Sequence, residues 1–144
     1  MPKDVLLTHE EFQCMQIFSD ITGASPIDCI IDDKFNRVIA LVRPEEVGKA
    51  IGRRGAKIKT LKELLKKDVE VVPFSENLEE CIKNIFMPAK VESVKVNRTG
   101  KVKTVYVRIA EADKGIAIGK NGRNVHKARL ILKRHFDIDN LVVV

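Results

Sequence analysis

One nine-residue pattern occurs twice in this chain of 144 residues, with an offset of 67 residues between the copies. The first copy, residues 47–55, reads VGKAIGRRG, and the second, residues 114–122, reads KGIAIGKNG. Both contain G-x-x-I-G-x-x-G, and a basic amphipathic stretch follows each. Glycine takes positive φ and has no side chain, so it lets the backbone approach a ligand closely. Arg-Arg and Lys-Asn between the last two glycines predict that this ligand carries phosphate.

The charged residues are concentrated at and after the two copies. Residues 1–32 hold one basic and six acidic residues, whereas residues 49–67 hold eight basic residues and only one acid. Residues 114–134 hold seven basic residues and no acid, and the whole chain has a net charge of +6. This distribution is typical of a protein that binds a polyanion. A lysine-rich surface of a heat-adapted protein is the alternative, but it does not explain why both clusters follow a G-x-x-G.

The repeat predicts two units of about 70 residues, each too small for a large hydrophobic core of its own. We place the first domain at residues 1–74 and the second at residues 75–144. The break at residues 73–75 contains no Gly/Ser-rich linker, so we expect the two units to be held in a fixed relation.

Hydrophobic periodicity predicts the same order of elements in both units: helix, strand, strand, helix, helix, strand. Thr8 and Glu11 have the spacing of a capping box at the start of the first helix, and Gly23 ends it. Asp113 is expected to cap the short helix before the second loop. The predicted strands cover residues 26–31, 37–42, 69–72, 90–96, 102–109 and 141–144.

Apolar spacing also predicts which large side chains are buried. Leu64 shares a predicted apolar face with Ile58, Leu61 and Leu65. The phenylalanines expected in the core are Phe12, Phe18, Phe86 and Phe136. The cysteines, Cys14, Cys29 and Cys81, are too far apart in sequence for a close-spaced zinc site and odd in number, so we expect buried thiols in a reducing compartment.

These loops and their surroundings resemble the KH family of single-stranded RNA-binding domains, whose GxxG loop clamps about four backbone nucleotides. The order of elements is similar to that of type II, prokaryotic KH domains. The resemblance covers nearly the whole chain and implies an α+β fold in which each unit is a three-stranded sheet packed with helices. Two KH units in tandem look most like the archaeal NusA-like transcription termination/antitermination factors. The polymerase-binding and OB-type domains of bacterial members are not in this sequence.

The resemblance implies an RNA groove beside each loop. Ile51 and Ile118 stand directly before the GxxG glycines, where they either pack in the core or touch a base. Lys57, Arg123 and Lys127 either extend the phosphate track or are merely solvated. The residues expected to meet phosphate or sugar are Gly52, Arg53, Arg54 and Gly55 in the first loop and Gly119, Lys120, Asn121 and Gly122 in the second.

Other glycine-rich sites do not fit the pattern. A P-loop needs Lys and Ser or Thr directly after its last glycine, but Gly55 is followed by Ala-Lys and Gly122 by Arg-Asn. The Rossmann fingerprint needs one residue between its first two glycines, and here there are three. No catalytic triad, carboxylate pair or metal-ligand cluster stands out. We therefore expect no enzyme activity, no cofactor and no metal.

Aromatic residues make up only 5% of the chain, with one tyrosine and no tryptophan. RRM and OB modules stack bases on exposed aromatic residues, so this scarcity disfavours them. A KH groove is too narrow for paired strands, whereas single-stranded DNA stays an open alternative to RNA. No apolar run approaches the length of about 20 residues that spans a bilayer. We expect a cytoplasmic monomer without a membrane partner.

Two functions fit this interpretation. The first is a NusA-type transcription factor that binds nascent RNA and modulates elongation, termination or antitermination, with RNA polymerase as a candidate partner. The second is a ribosome-associated or ribosome-assembly protein whose KH domains hold ribosomal RNA. Association with polymerase supports the first function, and co-sedimentation with ribosomal subunits supports the second.

Overall fold

The computed structural model describes residues 7–144, which form two compact units that divide between Ser75 and Glu76. The first unit contains three α-helices and three strands, and two short 3-10 turns precede the second and third helices. Their bounds are α1 His9–Thr22, β1 Asp28–Asp32, β2 Arg37–Val42, α2 Val47–Ile51, α3 Ala56–Leu65 and β3 Asp68–Pro73.

The second unit repeats this order of elements. Its 3-10 turns, Glu111–Asp113 and Lys120–Gly122, again precede the second and third helices of the unit. Its bounds are α4 Leu78–Phe86, β4 Val91–Thr99, β5 Val102–Ile109, α5 Lys114–Ile118, α6 Arg123–Phe136 and β6 Asn140–Val143.

Each unit has one three-stranded sheet with the strands in sequence order. The first two strands of each sheet pair antiparallel as a hairpin, and the third pairs parallel with the second after the two-helix crossover. A parallel connection needs a crossover of this kind, because a tight turn can only join antiparallel strands. The predicted order of elements and the α+β class are confirmed, and the topology is that of a type II KH domain.

The residues predicted to begin and end the first helix make the expected hydrogen bonds. The Thr8 hydroxyl accepts a hydrogen bond from the Glu11 amide at 3.1 Å, and the Glu11 carboxylate accepts one from the Thr8 amide at 3.0 Å. Gly23 has φ 73° and donates its N–H to the Ser19 carbonyl, so it ends the helix in the left-handed conformation.

The core of the first unit lies between the helices and one face of the sheet. Alternate residues of β2 face it, as the two-residue period of a strand requires. The buried cluster consists of Cys14, Phe18, Ala24, Cys29, Val38, Ala40, Val42, Ala50, Leu61 and Val69.

All three cysteines are buried and form no disulfide with one another, as predicted. Burial raises the pKa of the Cys29 thiol far above its ordinary value of 9.0, which keeps the thiol protonated.

Two apolar residues predicted to be buried are on the surface. The side chain of Phe12 is 59% exposed and that of Leu64 is 58% exposed. The buried stripe of α1 contains Cys14 and Phe18, and Phe12 lies about 200° around the helix from Cys14. Glu11 takes a buried position instead, because the capping box holds its carboxylate. The core assignments of Phe12 and Leu64 were therefore wrong.

The start of α5 and the end of β4 also differ from prediction. The side chain of Asp113 makes no cap hydrogen bond to α5, and its carboxylate accepts one from the Lys90 amide at 2.9 Å. It thus ties the loop before α5 to the start of β4. Strand β4 continues to Thr99, three residues beyond the predicted end, because it pairs with β5 up to the tight turn at Gly100.

A buried ion-pair network in the first unit was not predicted. The Arg37 side chain is fully buried, and its Nε lies 2.7 Å from Asp32 Oδ2. Its Nη1 lies 2.9 Å from Glu70 Oε2. Asp32 also accepts a hydrogen bond from the Lys34 amide at 3.0 Å, which closes the hairpin turn. The network therefore connects the β1–β2 hairpin to β3.

Candidate nucleic-acid interface

The first GxxG loop has a backbone conformation that glycine makes possible at two positions. Gly52 has φ 77° and ψ 174°, a region populated essentially by glycine alone, and Gly55 has φ 71° and ψ 17°. Between them, Arg54 has φ 56° and ψ 29°, which is left-handed and unfavourable for a residue of this size. The loop thus folds back tightly and directs the two arginines into solvent.

The second loop has nearly the same dihedral angles. Gly119 has φ 78° and ψ 168°, Asn121 has φ 58° and ψ 25°, and Gly122 has φ 77° and ψ 15°. In both loops the last glycine donates its N–H to the carbonyl of the first glycine, at 3.2 Å and 3.1 Å respectively. Asparagine adopts the left-handed region more readily than arginine, so the second loop has less backbone strain than the first.

The first and last glycines of each loop differ in their surroundings. A Cβ on Gly52 lies 2.8 Å from Lys57 Cγ, and one on Gly119 lies 2.8 Å from the Asn124 backbone nitrogen. A Cβ on Gly55 or Gly122 has no atom of residues 7–144 within 4 Å. The first glycine therefore packs against the following helix, whereas the last leaves open space where a ligand can reach the backbone.

Each loop leads directly into the N-terminus of a longer helix. The N-cap residues of α3 and α6 are Gly55 and Gly122, which have no side chain to accept hydrogen bonds from the first turn. The first-turn N–H groups and the positive end of the helix dipole favour an anion at this position. Arg53 and Arg54 are exposed beside the N-terminus of α3, and Lys120 is exposed beside that of α6. No ion-pair partner for these three residues occurs within residues 7–144.

The isoleucine before each loop is on the surface. Ile51 is 37% exposed and Ile118 is 42% exposed, whereas the preceding residues Ala50 and Ala117 are fully buried. Of the two alternatives that the sequence left open, packing in the core and contact with a ligand, exposure favours the second.

A cleft of about 360 Å³ lies beside the second loop. Its lining is mostly apolar and comes from the loop, from α6 and from β6: Ile118, Gly122, Val125, Arg129, Leu141, Val142 and Val143. Arg129 is the charged residue of this lining, and its guanidinium donates a hydrogen bond to the Leu141 carbonyl at 3.2 Å. An apolar floor beside a phosphate-binding loop is suited to an unpaired base.

Comparison with known proteins places this geometry in a family. Residues 78–142 match the family model described as the NusA-like second KH domain, and residues 15–76 match that of the KH domain. The probable transcription termination protein NusA of Methanocaldococcus jannaschii is 34% identical over 97% of this chain and 75% of that protein. The chain belongs to the NusA family of tandem KH-domain proteins.

Other relatives extend the similarity within and beyond archaea. The probable transcription termination protein NusA of Halococcus morrhuae is 34% identical over 95% of this chain and 96% of that protein. The transcription termination/antitermination protein NusA of Borreliella burgdorferi is 30% identical over 90% of this chain but only 28% of that much longer protein. A crystal structure, that of APE1850, is 44% identical, covers 96% of this chain and 100% of its own, and superposes with a TM-score of 0.92.

Within this NusA-family fold, the residues predicted beyond the loops have different surroundings. Lys57 donates a hydrogen bond from Nζ to the Thr22 carbonyl at 2.9 Å, so its observed contact ties α3 to the end of α1. Asn124 stands at the equivalent position of the second unit and donates to the Ala117 carbonyl at 3.1 Å. Arg123 and Lys127 lie in the first two turns of α6 and are partly exposed. An RNA contact by Lys57 therefore competes with a structural hydrogen bond.

Sequence reasoning did not assign Arg129 and the β6 residues of the cleft to the site. The only available signal was position, since Arg129 follows the last loop glycine by seven residues, or about two helical turns. The β6 residues are 19 to 21 residues beyond Gly122 in sequence and reach the cleft only through the parallel pairing with β5.

Within residues 7–144, no group of three or more His, Cys, Asp or Glu side chains is placed to hold a metal ion. None of the helices in this part of the chain is both long and apolar enough to cross a membrane.

Proposed function

We propose that this NusA-family chain is a transcription factor that binds single-stranded nascent RNA through its two GxxG loops and thereby modulates elongation, termination or antitermination. The observation that carries the proposal is the repeated loop geometry. Two loops with the same left-handed backbone each combine exposed polar side chains, an uncapped helix N-terminus and an exposed isoleucine. This combination is suited to a phosphate backbone with an unpaired base beside it.

The relatives support the transcription setting. Those from Methanocaldococcus jannaschii and Halococcus morrhuae are named as probable transcription termination proteins, and that of Borreliella burgdorferi as a termination/antitermination protein. RNA polymerase is the partner that such a role requires, and we propose a non-enzymatic, monomeric protein for this chain. We also propose that its two RNA-binding domains are residues 1–74 and 75–144.

RNA binding is tested with short single-stranded RNA, matched single-stranded DNA and duplex RNA over a series of salt concentrations. The variants are Arg53→Asp/Arg54→Asp and Lys120→Asp/Asn121→Asp. Aspartate tolerates the left-handed conformation of the third loop position, so the backbone is preserved. Lys83→Asp on the exposed surface of α4 is the control for charge reversal. We expect each loop variant, but not the control, to bind single-stranded RNA more weakly than the wild type.

Binding that neither loop change affects would overturn the GxxG mechanism. The cellular setting needs a second measurement, which is capture of RNA polymerase by the tagged full chain, compared with sedimentation of the chain with ribosomal subunits. Capture of polymerase supports the transcription role. Stable sedimentation with ribosomal subunits and no capture of polymerase would replace it with a ribosomal role.

A further inference from the structure

The sheet of the second unit has one face that is open to solvent. Its helix-facing side is buried through Val105, Val107 and Ile109 of β5. On the opposite side, Tyr106 is only partly buried and Arg108 is exposed. In the middle strand of the first unit, by contrast, all six residues are buried. Within residues 7–144, an open side of the middle strand is therefore a feature of the second unit alone.

Strand register brings an aromatic ring and two cations together on this face. Tyr106 pairs with Lys95 of β4 on one side and with Val142 of β6 on the other. Arg108 pairs with Ser93 one step along the same strands. Directly paired residues have Cβ atoms about 5 Å apart on one face of the sheet. We call this surface, made by Ser93, Lys95, Tyr106, Arg108, Val142 and Val144, the Tyr106 face.

The Tyr106 face is concave and positively charged. A cavity of about 340 Å³ is lined by Ser93, Val94, Lys95, Tyr106, Arg108 and Val144. The hairpin stretch of residues 93–108 contains five basic residues and no acidic one. Neither Lys95 nor Arg108 has an ion-pair partner within residues 7–144. The charge of the Tyr106 face is therefore complementary to an anionic ligand.

The Tyr106 face adjoins the cleft beside the second GxxG loop. Strand β6 is the edge strand of the sheet, and Val142 belongs both to the lining of that cleft and to the row that contains Tyr106. A strand of RNA that leaves the cleft across β6 thus comes directly onto the tyrosine ring. Two cations beside one partly exposed ring are the arrangement in which a base stacks and its neighbouring phosphates are neutralised.

We infer that the Tyr106 face is a second contact surface for single-stranded RNA, on which one base stacks against Tyr106 while Lys95 and Arg108 bind the flanking phosphates. The inference rests on the proposed RNA binding at the loops and extends the RNA path of the second unit beyond its cleft. RNA that fills only the cleft beside the second loop does not reach this face, whereas longer RNA does.

Tyr106 is the only tyrosine of the chain, so replacement with 3-fluorotyrosine gives the full-length protein a single ¹⁹F resonance. We titrate it with mixed-sequence single-stranded RNA of about 4 nucleotides, the length that one GxxG loop clamps, and of about 16 nucleotides. Saturation is measured independently by fluorescence anisotropy. The longer RNA is expected to shift or broaden the resonance, and the shorter RNA to leave it unchanged.

The affinity test uses Tyr106→Val, which keeps a β-branched residue in the strand, and Tyr106→Phe, which keeps the ring. Tyr106→Val should weaken binding of the longer RNA by at least about fivefold, the factor that corresponds to the lower end of stacking by one base. Tyr106→Phe should bind like the wild type, and binding of the shorter RNA should not change. Lys95→Gln/Arg108→Gln should also weaken binding of the longer RNA, whereas Lys83→Gln should not.

Each outcome separates this inference from the proposed function. A resonance unchanged at saturation, or equal binding of the longer RNA by Tyr106→Val and wild type, overturns the Tyr106 face as an RNA surface. If the loop variants then still lose binding, the GxxG mechanism stands without it. If the loop variants bind normally while Tyr106→Val does not, the proposed GxxG function fails and the Tyr106 face is the RNA site. Thermal unfolding of each variant excludes loss of the fold.

Discussion

The two GxxG loops have the same backbone but different charges. Arg53 and Arg54 give the first loop two cations, whereas Lys120 and Asn121 give the second loop one. Each phosphate neutralised on a single strand contributes about −0.7 to the slope of log K against log salt. The first loop should therefore contribute more than the second to the salt dependence of RNA binding.

We expect Arg53→Gln/Arg54→Gln to make this slope less steep by about 1.4 and Lys120→Gln by about 0.7. The slopes are measured by fluorescence anisotropy with the same single-stranded RNA at several salt concentrations. Lys83→Gln is the matched control and should leave the slope unchanged. Equal changes for the two loops would show that only one arginine of the first loop meets a phosphate.

The glycines of the first loop should differ in their tolerance of alanine. Gly52→Ala places its Cβ 2.8 Å from Lys57 Cγ and 3.1 Å from the Lys57 backbone nitrogen, at dihedral angles essentially restricted to glycine. We expect it to lower the free energy of unfolding by about 3 kcal/mol. The Cβ of Gly55→Ala has no atom of the described residues within 4 Å, so this variant has only the left-handed penalty of about 1 kcal/mol.

Urea unfolding of the full chain measures both alanine variants, and Gly55→Asn serves as the control that tolerates the left-handed conformation. Equal destabilisation by Gly52→Ala and Gly55→Ala would show that neither the contact with Lys57 nor the dihedral angles of Gly52 add to the cost of alanine there. The prediction concerns stability, so it holds whether or not RNA binds.

At the scale of elements, the Arg37 network connects the β1–β2 hairpin to β3 through a fully buried guanidinium. Asp32→Ala leaves the fully buried guanidinium with Glu70 as its remaining carboxylate in the network and also removes the acceptor of the Lys34 amide. Breaking a buried ion pair costs about 3 kcal/mol or more in free energy of unfolding.

Glu79→Ala removes an exposed ion pair with Lys83 and is the control, with an expected cost below about 0.5 kcal/mol. Chemical denaturation of both variants tests the comparison. A loss for Asp32→Ala as small as that for Glu79→Ala would show that water or rearranged neighbours compensate Arg37.

Local signals in the sequence were sufficient for the elements but not for all of their contacts. The capping box at Thr8, the left-handed Gly23 and the repeat of 67 residues each depend on neighbours in sequence, and they gave the correct order of helices and strands. Phe12 was misplaced because one apolar residue does not define which stripe of a helix is buried. The pairing of Arg37 with Glu70 depends on residues 33 positions apart, which only tertiary structure brings together.

The same limit applies to the candidate site. The loops were predictable because their glycines and cations are contiguous in sequence. The cleft was not, because Arg129 and Val142 reach it through helix packing and parallel strand pairing. The openness of the Tyr106 face is likewise a tertiary property, since strand alternation alone predicts two faces and does not indicate which is covered.

For the whole molecule, two loops on one chain should make affinity depend steeply on RNA length. An RNA that occupies one loop presents its remainder to the other at a high effective concentration, which raises affinity by about 100-fold or more when the RNA spans both. We therefore expect the largest increase in affinity for single-stranded RNA to occur abruptly at one threshold length. The increase should disappear in Lys120→Asp/Asn121→Asp, which leaves the first loop intact, while binding of shorter RNA by the first loop remains.

Anisotropy with a graded series of RNA lengths measures this threshold, and Lys83→Asp, which changes no loop, should keep it. A gradual increase with length in the wild type would mean that the loops bind separate RNA molecules.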